Sequence, residues 1–549
     1  MRTVTTRLVV VLVAFAALVA VGTAGGASRA LPTFVIAGAA DPTYLDPALV
    51  SDGESFRATE QIFESLVSLK PGTTLIRPGL ATKWGSKNGK DWTFQLRHGV
   101  KFHDGTPFNA AAVCANFNRQ YNFRGPFQDS SATYYWQTVF LGFKHNDSSD
   151  LSPSLYRSCS TKGKYTAILH LAHKSSSFLP ALVISSFAIQ SPTAMAKYGA
   201  NKGELRNGTF YPTGTYAFSH PTGTGPFKFK QWVIGQKVEL VRNDHYWGKK
   251  PRIGRVIIQP ISNNTARVQA LQSGEVNGAD LIQPQDVGTI SKNKNLKLLN
   301  RPSFNVAYVD INSSHAPFNK LAVRQAIAYG LDRAGVVKSF YAGRAQVAQE
   351  FMPPQLFGWT NKVPHYPFNP NKAKALLKSA GLSLPVPIDF WYPTNVSRPY
   401  MPRPDLNFQA FSASLEKSGF KVTPHSAPWR PDYVKHVNDG TAGDINLIGW
   451  TGDFGDPDNF VGTFFKTYNP AFGFHNAAIF NILQRAAAET NLKKRIALYQ
   501  KANIMIMKFL PGVPYAHSRP ALGFQKKVKG YTASPVGTDP FAGVYFGGQ

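Results

Sequence analysis

Acidic side chains and cysteines are scarce in this 549-residue chain. It has 31 Asp and Glu against 60 Lys and Arg, which gives a formal net charge of +29, and it has two cysteines. Charged residues make up 17% and apolar residues 43% of the chain, which excludes a disordered protein. The positive charge is spread thinly, which argues against nucleic-acid binding. Anionic lipid, wall polymer or adaptation to habitat remain as reasons for it.

Long apolar runs are also missing, except near the N-terminus. Residues 8–21 are all apolar, they follow a basic start, and Ser28 and Ala30 suit the −3 and −1 positions of a signal-peptidase site. The run is shorter than the roughly 20 residues that a membrane span needs. The pattern predicts a secretory signal peptide over residues 1–30, with a retained anchor as the alternative. We therefore expect an exported protein, periplasmic or at the outer face of the cytoplasmic membrane.

The two cysteines are Cys114 and Cys159. In an exported protein, two cysteines are the minimum for one disulfide, and the compartment allows it to persist. We predict a bridge between them, and two separate buried thiols are the alternative.

The remaining chain is too long for one core, since single cores stop growing at about 250–300 residues. Its first part, residues 31–302, shows a mixture of strand and helix patterns and includes an elaborated region at about 76–215. From residue 303 to 512, helical and strand patterns alternate, which predicts an α/β unit with helices packed on a sheet. Residues 513–549 return to strands and loops.

One acidic loop has the sequence LIGWTGDFGDPDNF, residues 447–460. A calcium site is disfavoured because the loop lacks the ligand order and the glutamate of an EF-hand. For Asp456 and Asp458 the turn residues around them favour a turn-capping role. Asp453 directly follows a predicted strand, at the end where α/β sheets place their ligands. A buried ammonium needs such a carboxylate, so we expect Asp453 to bind a cation, with turn capping as the alternative.

Signatures of catalysis are absent from the sequence. It contains no G-x-x-x-x-G-K-[ST] loop, no G-x-S-x-G elbow and no H-E-x-x-H helix. We expect a binding protein with no catalytic residue, no metal and no cofactor. An exported enzyme, such as a peptidase, and a basic surface adhesin are the alternatives.

Several motifs occur in the order known from one family. They are IRPGLATKWGSKNGKDWTFQLRHGVKFHDGTPFNAAAV, GTGPFKFKQW, RNDHYWG, ARVQALQSGEV, VRQAIAYGLDRAGVVKSFYAG and GWTGDFGDPDNF. Over nearly all of residues 31–549 the chain resembles the family 5 extracellular solute-binding proteins of ABC importers, the peptide- and nickel-binding family, and most of all its dipeptide binders.

The resemblance implies an α/β, two-lobed periplasmic-binding-protein fold of the large, cluster C type, with an extra subdomain in lobe one. Lobe one would contain residues 31–302 and the returning segment 513–549, and lobe two residues 303–512. The second crossover between the lobes is expected near residues 511–518.

The resemblance also implies the site. Asp453 would bind the amino terminus of a ligand, and Arg398 its carboxylate, because arginine forms two parallel hydrogen bonds with that group. Arg403 is a competitor for this role, and a surface position for Arg398 is the alternative. Further predicted ligand-binding residues are Tyr400, Trp450, Thr451 and Gly452, with Tyr134, Tyr135 and Trp136 as apolar walls that could equally belong to the core.

The implied function is capture of dipeptides or tripeptides and their delivery to an ABC permease, which a separate cytoplasmic ATPase drives. We expect a monomer that binds no nucleic acid, with membrane-surface association possible. Another ligand in the same family is the main alternative: a nickel chelate, glutathione, haem or an oligosaccharide.

Overall fold

A computed structural model describes residues 31–537 and 539–547 of the chain. The predicted signal peptide, residues 1–30, lies outside the described residues. Within the described part, no helix is both long and apolar enough to cross a membrane.

The first part of the chain ends at Asn300. Its strands are β1 (Thr33–Gly38), β2 (Val67–Leu69), β3 (Ile76–Pro78), β4 (Ala81–Gly85), β5 (Asp91–Leu96), β6 (Tyr156–Thr161), β7 (Thr166–Leu171), β8 (Gly203–Arg206), β9 (Thr209–Pro212), β10 (Phe227–Val233), β11 (Lys237–Arg242), β12 (Arg255–Pro260), β13 (Gly278–Ile282) and β14 (Leu296–Asn300). Its helices are α1 (Gly53–Ile62), α2 (Ala110–Tyr121), α3 (Ser130–Phe140), α4 (Phe178–Ala181), α5 (Pro192–Lys197), α6 (Tyr216–Ser219), α7 (Asn264–Ser273) and α8 (Val287–Lys292).

The second part begins at Asn305. Its strands are β15 (Asn305–Ile311), β16 (Ala345–Gln346), β17 (Val386–Thr394), β18 (Phe420–Pro428), β19 (Ile445–Thr451), β20 (Gly512–Ser518), β21 (Ala521–Gln525), β22 (Val528–Lys529) and β23 (Tyr545–Phe546). Its helices are α9 (Leu321–Gly330), α10 (Arg333–Phe340), α11 (Pro370–Ser379), α12 (Pro404–Lys417), α13 (Val434–Asn438), α14 (Val461–Phe465), α15 (Ala477–Ala488) and α16 (Leu492–Phe509).

Lobe one is built on a seven-stranded sheet with the order β10-β11-β12-β1-β13-β21-β14. β1 runs parallel to β12 and β13, and β21 from the C-terminal tail pairs antiparallel with β13 and β14. The tail therefore completes the sheet that the N-terminal part begins, as the resemblance implied.

Lobe two is built on a six-stranded sheet with the order β16-β20-β15-β19-β17-β18. All residues of β15 are buried, which fits its apolar sequence, because a strand covered on both faces needs no polar alternation. β19 lies between β15 and β17, and the acidic loop follows it directly. The mixed α/β fold predicted for lobe two is confirmed.

The second crossover lies later than the sequence predicts. β20 pairs with β15 and β16 in the lobe-two sheet, and β21 already belongs to lobe one. The chain thus changes lobes at residues 519–520, and residues 513–518 belong to lobe two. All residues of β20 are buried, as are those of β13 in lobe one and β15 in lobe two. A strand of this kind fits the sheet of either lobe, which explains why the sequence alone misplaces it.

The elaborated region of lobe one carries a separate four-stranded sheet with the order β4-β5-β7-β6. Helix α2 packs against β6 and β7 of this sheet. Cys114 in α2 is bonded to Cys159 in β6, with their Cα atoms 5.2 Å apart, so the predicted disulfide is confirmed.

Candidate ligand-binding site

A cavity of about 610 Å³ lies between the two lobes, within the usual size range of small-ligand pockets. Lobe one contributes the start of α1, part of α3 and the end of β13. Lobe two contributes residues 398–400, the end of β19 and the acidic loop. The cavity therefore has walls from both lobes, as expected of a protein that encloses its ligand by closing on it.

Asp453 lines this cavity and has only neutral partners. Its Oδ1 accepts a hydrogen bond from the Tyr135 hydroxyl at 2.8 Å, and its Oδ2 accepts one from the Asn459 amide at 3.1 Å. Burial raises the pKa of Asp453 to about 6, although these two hydrogen bonds act in the opposite direction. Asp453 is half-buried, and a partly desolvated carboxylate with no cation beside it can accept a positively charged group.

The other two aspartates of the loop have charged partners of their own. Asp456 accepts hydrogen bonds from Arg495 at 2.6 and 2.9 Å and caps the turn that follows it. Asp458 accepts hydrogen bonds from Lys466 at 2.8 Å and from Ser177 at 2.9 Å. Capping by Asp456 agrees with the expected turn role, whereas the two ion pairs were not foreseen.

Arg398 also faces the cavity without a counter-charge. Its guanidinium carbon lies 4.8 Å from the centroid of the Trp429 ring, and its Nε, though buried, has no acceptor among the described residues. Arg403 differs, because it donates hydrogen bonds to Asp405 at 3.0 and 2.6 Å and lies outside the cavity lining. Of the two candidate arginines, the structure leaves Arg398 able to bind an anion.

Three further predicted residues line the cavity. Tyr400 is buried there beside Arg398. The Nε1 of Trp450 and the Oγ1 of Thr451 are buried without a hydrogen-bond partner within residues 31–537 and 539–547. Leaving a buried donor unpaired costs about 1–3 kcal/mol. A polar ligand in the cavity would remove that cost.

The predicted aromatic wall divides into two groups. Tyr134 and Tyr135 line the cavity, and the ring of Tyr134 lies 6.0 Å from that of Trp450 in the other lobe. Trp136 instead lies in the lobe-one core, and its Nε1 donates a hydrogen bond to the Gly142 carbonyl at 2.9 Å. Successive helix residues point in directions about 100° apart, so one short run of aromatics cannot all face the same cavity.

Gly452 also lies away from the cavity lining. Its N–H donates a hydrogen bond to the Phe304 carbonyl at 2.9 Å, and a Cβ there would collide with the rings of Phe304 and Phe460. The glycine is required by close packing between lobe-two residues, and its contact with a ligand stays a prediction.

A buried charge network on the lobe-one wall was missed by the sequence analysis. Arg57 donates to Asp280 at 2.7 Å, and Arg301 donates to Asp280 at 3.1 Å and to Asp539 at 2.8 and 2.6 Å. Burial alone would raise the pKa of Asp280, but Arg301 and Arg57 hold it well below its usual range. These residues are far apart in the sequence and belong to no recognisable motif.

Arg301 also fixes the hinge. It is the first residue after β14, and its N–H donates a hydrogen bond to the Pro520 carbonyl at 3.0 Å. The backbone of Arg301 therefore ties the two crossovers to each other, and its side chain ties them to the tail residue Asp539.

Two lobes that are joined by two crossovers and enclose a polar cavity define a bilobed ligand-binding protein. Residues 76–472 match the bacterial extracellular solute-binding proteins, family 5. The chain belongs to this family, whose members bind solutes for ABC importers, and the expected two-lobed fold is confirmed.

Curated relatives span almost the whole chain. Heme-binding protein A of Haemophilus influenzae is 33% identical, over 94% of this chain and 93% of that protein. The dipeptide-binding protein of Escherichia coli is 31% identical, over 94% of this chain and 95% of that protein.

Solved structures show the same fold. The periplasmic binding protein DppA of Helicobacter pylori, in complex with the peptide STSA, has a TM-score of 0.81 and 30% identity, covering 94% of this chain and 98% of that one. The dipeptide-binding protein of a Pseudoalteromonas species, in complex with Met-Leu, has a TM-score of 0.82 and 25% identity, covering 94% and 100%.

Proposed function

We propose that this protein captures short peptides of two or three residues. The ligand's α-ammonium pairs with Asp453 and its carboxylate with Arg398. The observation that carries the proposal is that Asp453 and Arg398 face the same cavity, and neither has an oppositely charged partner among the described residues. Asp52 and Asp129 also line the cavity without an ion pair, but their carboxylates accept hydrogen bonds from the first backbone N–H groups of α1 and α3. A zwitterion is the ligand that supplies both missing charges at once.

The rest of the cavity supports a peptide. The unpaired Trp450 Nε1 can donate to a carbonyl, and the Thr451 hydroxyl can donate or accept. Close to them, a group of buried apolar side chains provides room for a ligand side chain. Those that line the cavity are Tyr308, Phe464 and Phe472.

Haem fits this cavity less well. Within the described lining there is no His, Met or Cys that could ligate its iron. Tyrosine can bind haem iron only through its oxygen, and burial raises the pKa of Tyr134, Tyr135 and Tyr400, which disfavours the phenolate. The relatives named for dipeptide binding therefore point to the ligand class better than the relative named for haem.

The protein acts by binding rather than by catalysis. It is exported, encloses the peptide between its lobes, and presents it to an ABC permease that a separate ATPase drives. Asp453 and Arg398 both belong to lobe two, so the ligand favours closure through the contacts that lobe-one lining residues such as Tyr134 and Tyr135 add when the lobes close on it.

Calorimetry with modified peptides tests the proposal. A free dipeptide and a free tripeptide are compared with the same peptides carrying an N-acetyl group or a C-terminal amide. Each modification removes one charge, and we expect each to weaken binding by about tenfold or more. Equal affinity of the acetylated and free peptides would remove Asp453 from the proposed role, and equal affinity of the amide would remove Arg398.

A further inference from the structure

A second, smaller pocket lies at the crossover between β20 and β21. Its volume is about 30 Å³, and it opens to solvent. It is lined from lobe one by residues that include Leu281, from lobe two by residues that include Arg344, and by the crossover residues Arg519 and Pro520. The pocket is thus lined by residues of both lobes and of the second crossover between them.

Three arginines line this pocket: Arg344, Arg398 and Arg519. Its described lining contains no Asp or Glu, and none of the ion pairs formed within residues 31–537 and 539–547 involves any of the three. This differs from the neighbouring hinge network, where Arg57 and Arg301 each contact carboxylates. The pocket concentrates positive charge that the chain itself does not balance.

The hydrogen-bond donors of Arg344 are only partly used. Its Nη2 donates to the Asn300 side chain at 2.6 Å, across the lobe boundary, whereas its Nε is buried and has no acceptor among the described residues. The Arg519 N–H donates to the Arg344 carbonyl at 2.7 Å, so the backbone holds the two arginines side by side. Burial, and to a lesser extent the neighbouring Arg519, lowers the pKa of Arg344.

We propose that this pocket binds a small inorganic oxyanion, such as sulfate or phosphate, through Arg344 and Arg519. A tetrahedral oxyanion accepts hydrogen bonds from several guanidinium donors at once and offsets their mutual repulsion. The site is separate from the peptide cavity, although Arg398 stands in the wall between the two. An anion there joins lobe one, lobe two and the crossover, so it stabilises the hinge in the arrangement seen here.

Equilibrium dialysis with radiolabelled sulfate, without any peptide, tests the site independently of the proposed peptide binding. Ionic strength is held constant with an organic buffer salt, and unlabelled phosphate and chloride serve as competitors. The wild-type protein is expected to bind one sulfate, and phosphate is expected to displace it. In Arg519→Gln and Arg344→Gln the Kd for sulfate should rise by about tenfold or more, the effect of losing a charge-assisted hydrogen bond.

Arg485→Gln is the matched control, because Arg485 is an exposed lobe-two arginine outside the pocket. It should bind sulfate like the wild type. Arg519 is exposed, so its variant keeps the test valid even if Arg344→Gln fails to fold. No saturable binding, equal loss in Arg485→Gln, or displacement of sulfate by chloride alone would overturn the proposal.

Discussion

Two groups of charged side chains border the same cavity. One group forms ion pairs within the chain, and the other does not. On the lobe-one wall, Arg57 and Arg301 contact Asp280 and further carboxylates, so each charge has a partner inside the chain. Asp453 and Arg398 have only neutral groups around them among the described residues.

The difference separates charges that stabilise the fold from the two that we propose to bind the ligand. A buried ion pair loses several kcal/mol when one partner is removed, because the other charge stays behind uncompensated. A buried charge without a partner instead lowers stability, and a fold retains it where something else supplies the counter-charge. Substitutions in the first group should therefore affect folding, and those in the second should affect binding.

The largest effect is expected for Asp280→Asn. It leaves Arg57 and Arg301 with less compensation inside a buried network, and we expect the free energy of unfolding to fall by about 3–5 kcal/mol. Urea denaturation without peptide measures this. Asp244→Asn, which breaks an exposed pair with Arg242, is the control and should change it by less than about 1 kcal/mol. Similar losses in both variants would contradict a structural role for the network.

Asp453→Asn should show the opposite pattern. Peptide affinity is expected to fall by about 3 kcal/mol, roughly a hundredfold, because the ligand ammonium loses the anionic partner that we propose for it. The stability of the protein without peptide should stay unchanged or increase, since a costly buried carboxylate becomes neutral. Calorimetry and urea denaturation on the same preparation check both statements.

Asp439→Asn is a matched control for this variant, because Asp439 also lines the cavity but pairs with Lys435 at 2.6 Å. Its peptide affinity should remain close to that of the wild type. If the two variants lose affinity equally, the cavity attracts the ammonium by its general potential and not through Asp453.

Arg398→Gln is expected to weaken the binding of free peptides by about 1.5–3 kcal/mol, the range for a charge-assisted hydrogen bond. Binding of C-terminal amides should hardly change, because they lack the carboxylate that Arg398 holds. Arg403→Gln should behave like the wild type in the same titrations, since Arg403 is engaged by Asp405. A selective loss in Arg403→Gln would instead favour the competing register of this loop.

The smallest effect is expected from pH. Without ligand, Asp453 has a pKa of about 6, and only its ionised form can pair with an ammonium. Peptide affinity should therefore be constant above that pH and fall by about tenfold for each unit below it, with proton release on binding in the acidic range. Calorimetry in buffers of different ionisation enthalpy measures the protons released.

The stability of the unliganded protein should respond to pH in the reverse sense. The pKa of Asp453 in the folded chain, about 6, is raised above its ordinary value of 3.8, so between these two pH values the folded chain binds more protons than the unfolded chain. The contribution of this group to stability is present at low pH and is lost as the pH rises through about 6. Asp456 has a raised pKa as well, so the difference between wild type and Asp453→Asn isolates the effect of Asp453.

The sequence predicted a residue's position well where that position depends on the residues next to it in the chain. The position of Asp453 after β19 follows from one apolar strand and the turn residues behind it, and Cys114 and Cys159 had no other partner. The sequence predicted poorly which of several adjacent residues face the cavity. Trp136 and Gly452 adjoin true cavity residues, yet one points into the core and the other is packed against Phe304.

The sequence by itself determined the family, the two-lobed fold and the disulfide, because motif order and hydrophobic periodicity are properties of short segments. The pairing of a zwitterion with Asp453 and Arg398 stays a proposal. Only the tertiary structure decided that the chain changes lobes after β20, that Arg301 joins both crossovers to Asp539, and that three arginines meet at the hinge. Those features depend on which distant segments lie side by side. Whether a charge is compensated depends on distances of a few ångströms between atoms. Arg57 and Asp280, for example, lie 2.7 Å apart although 223 positions separate them along the chain.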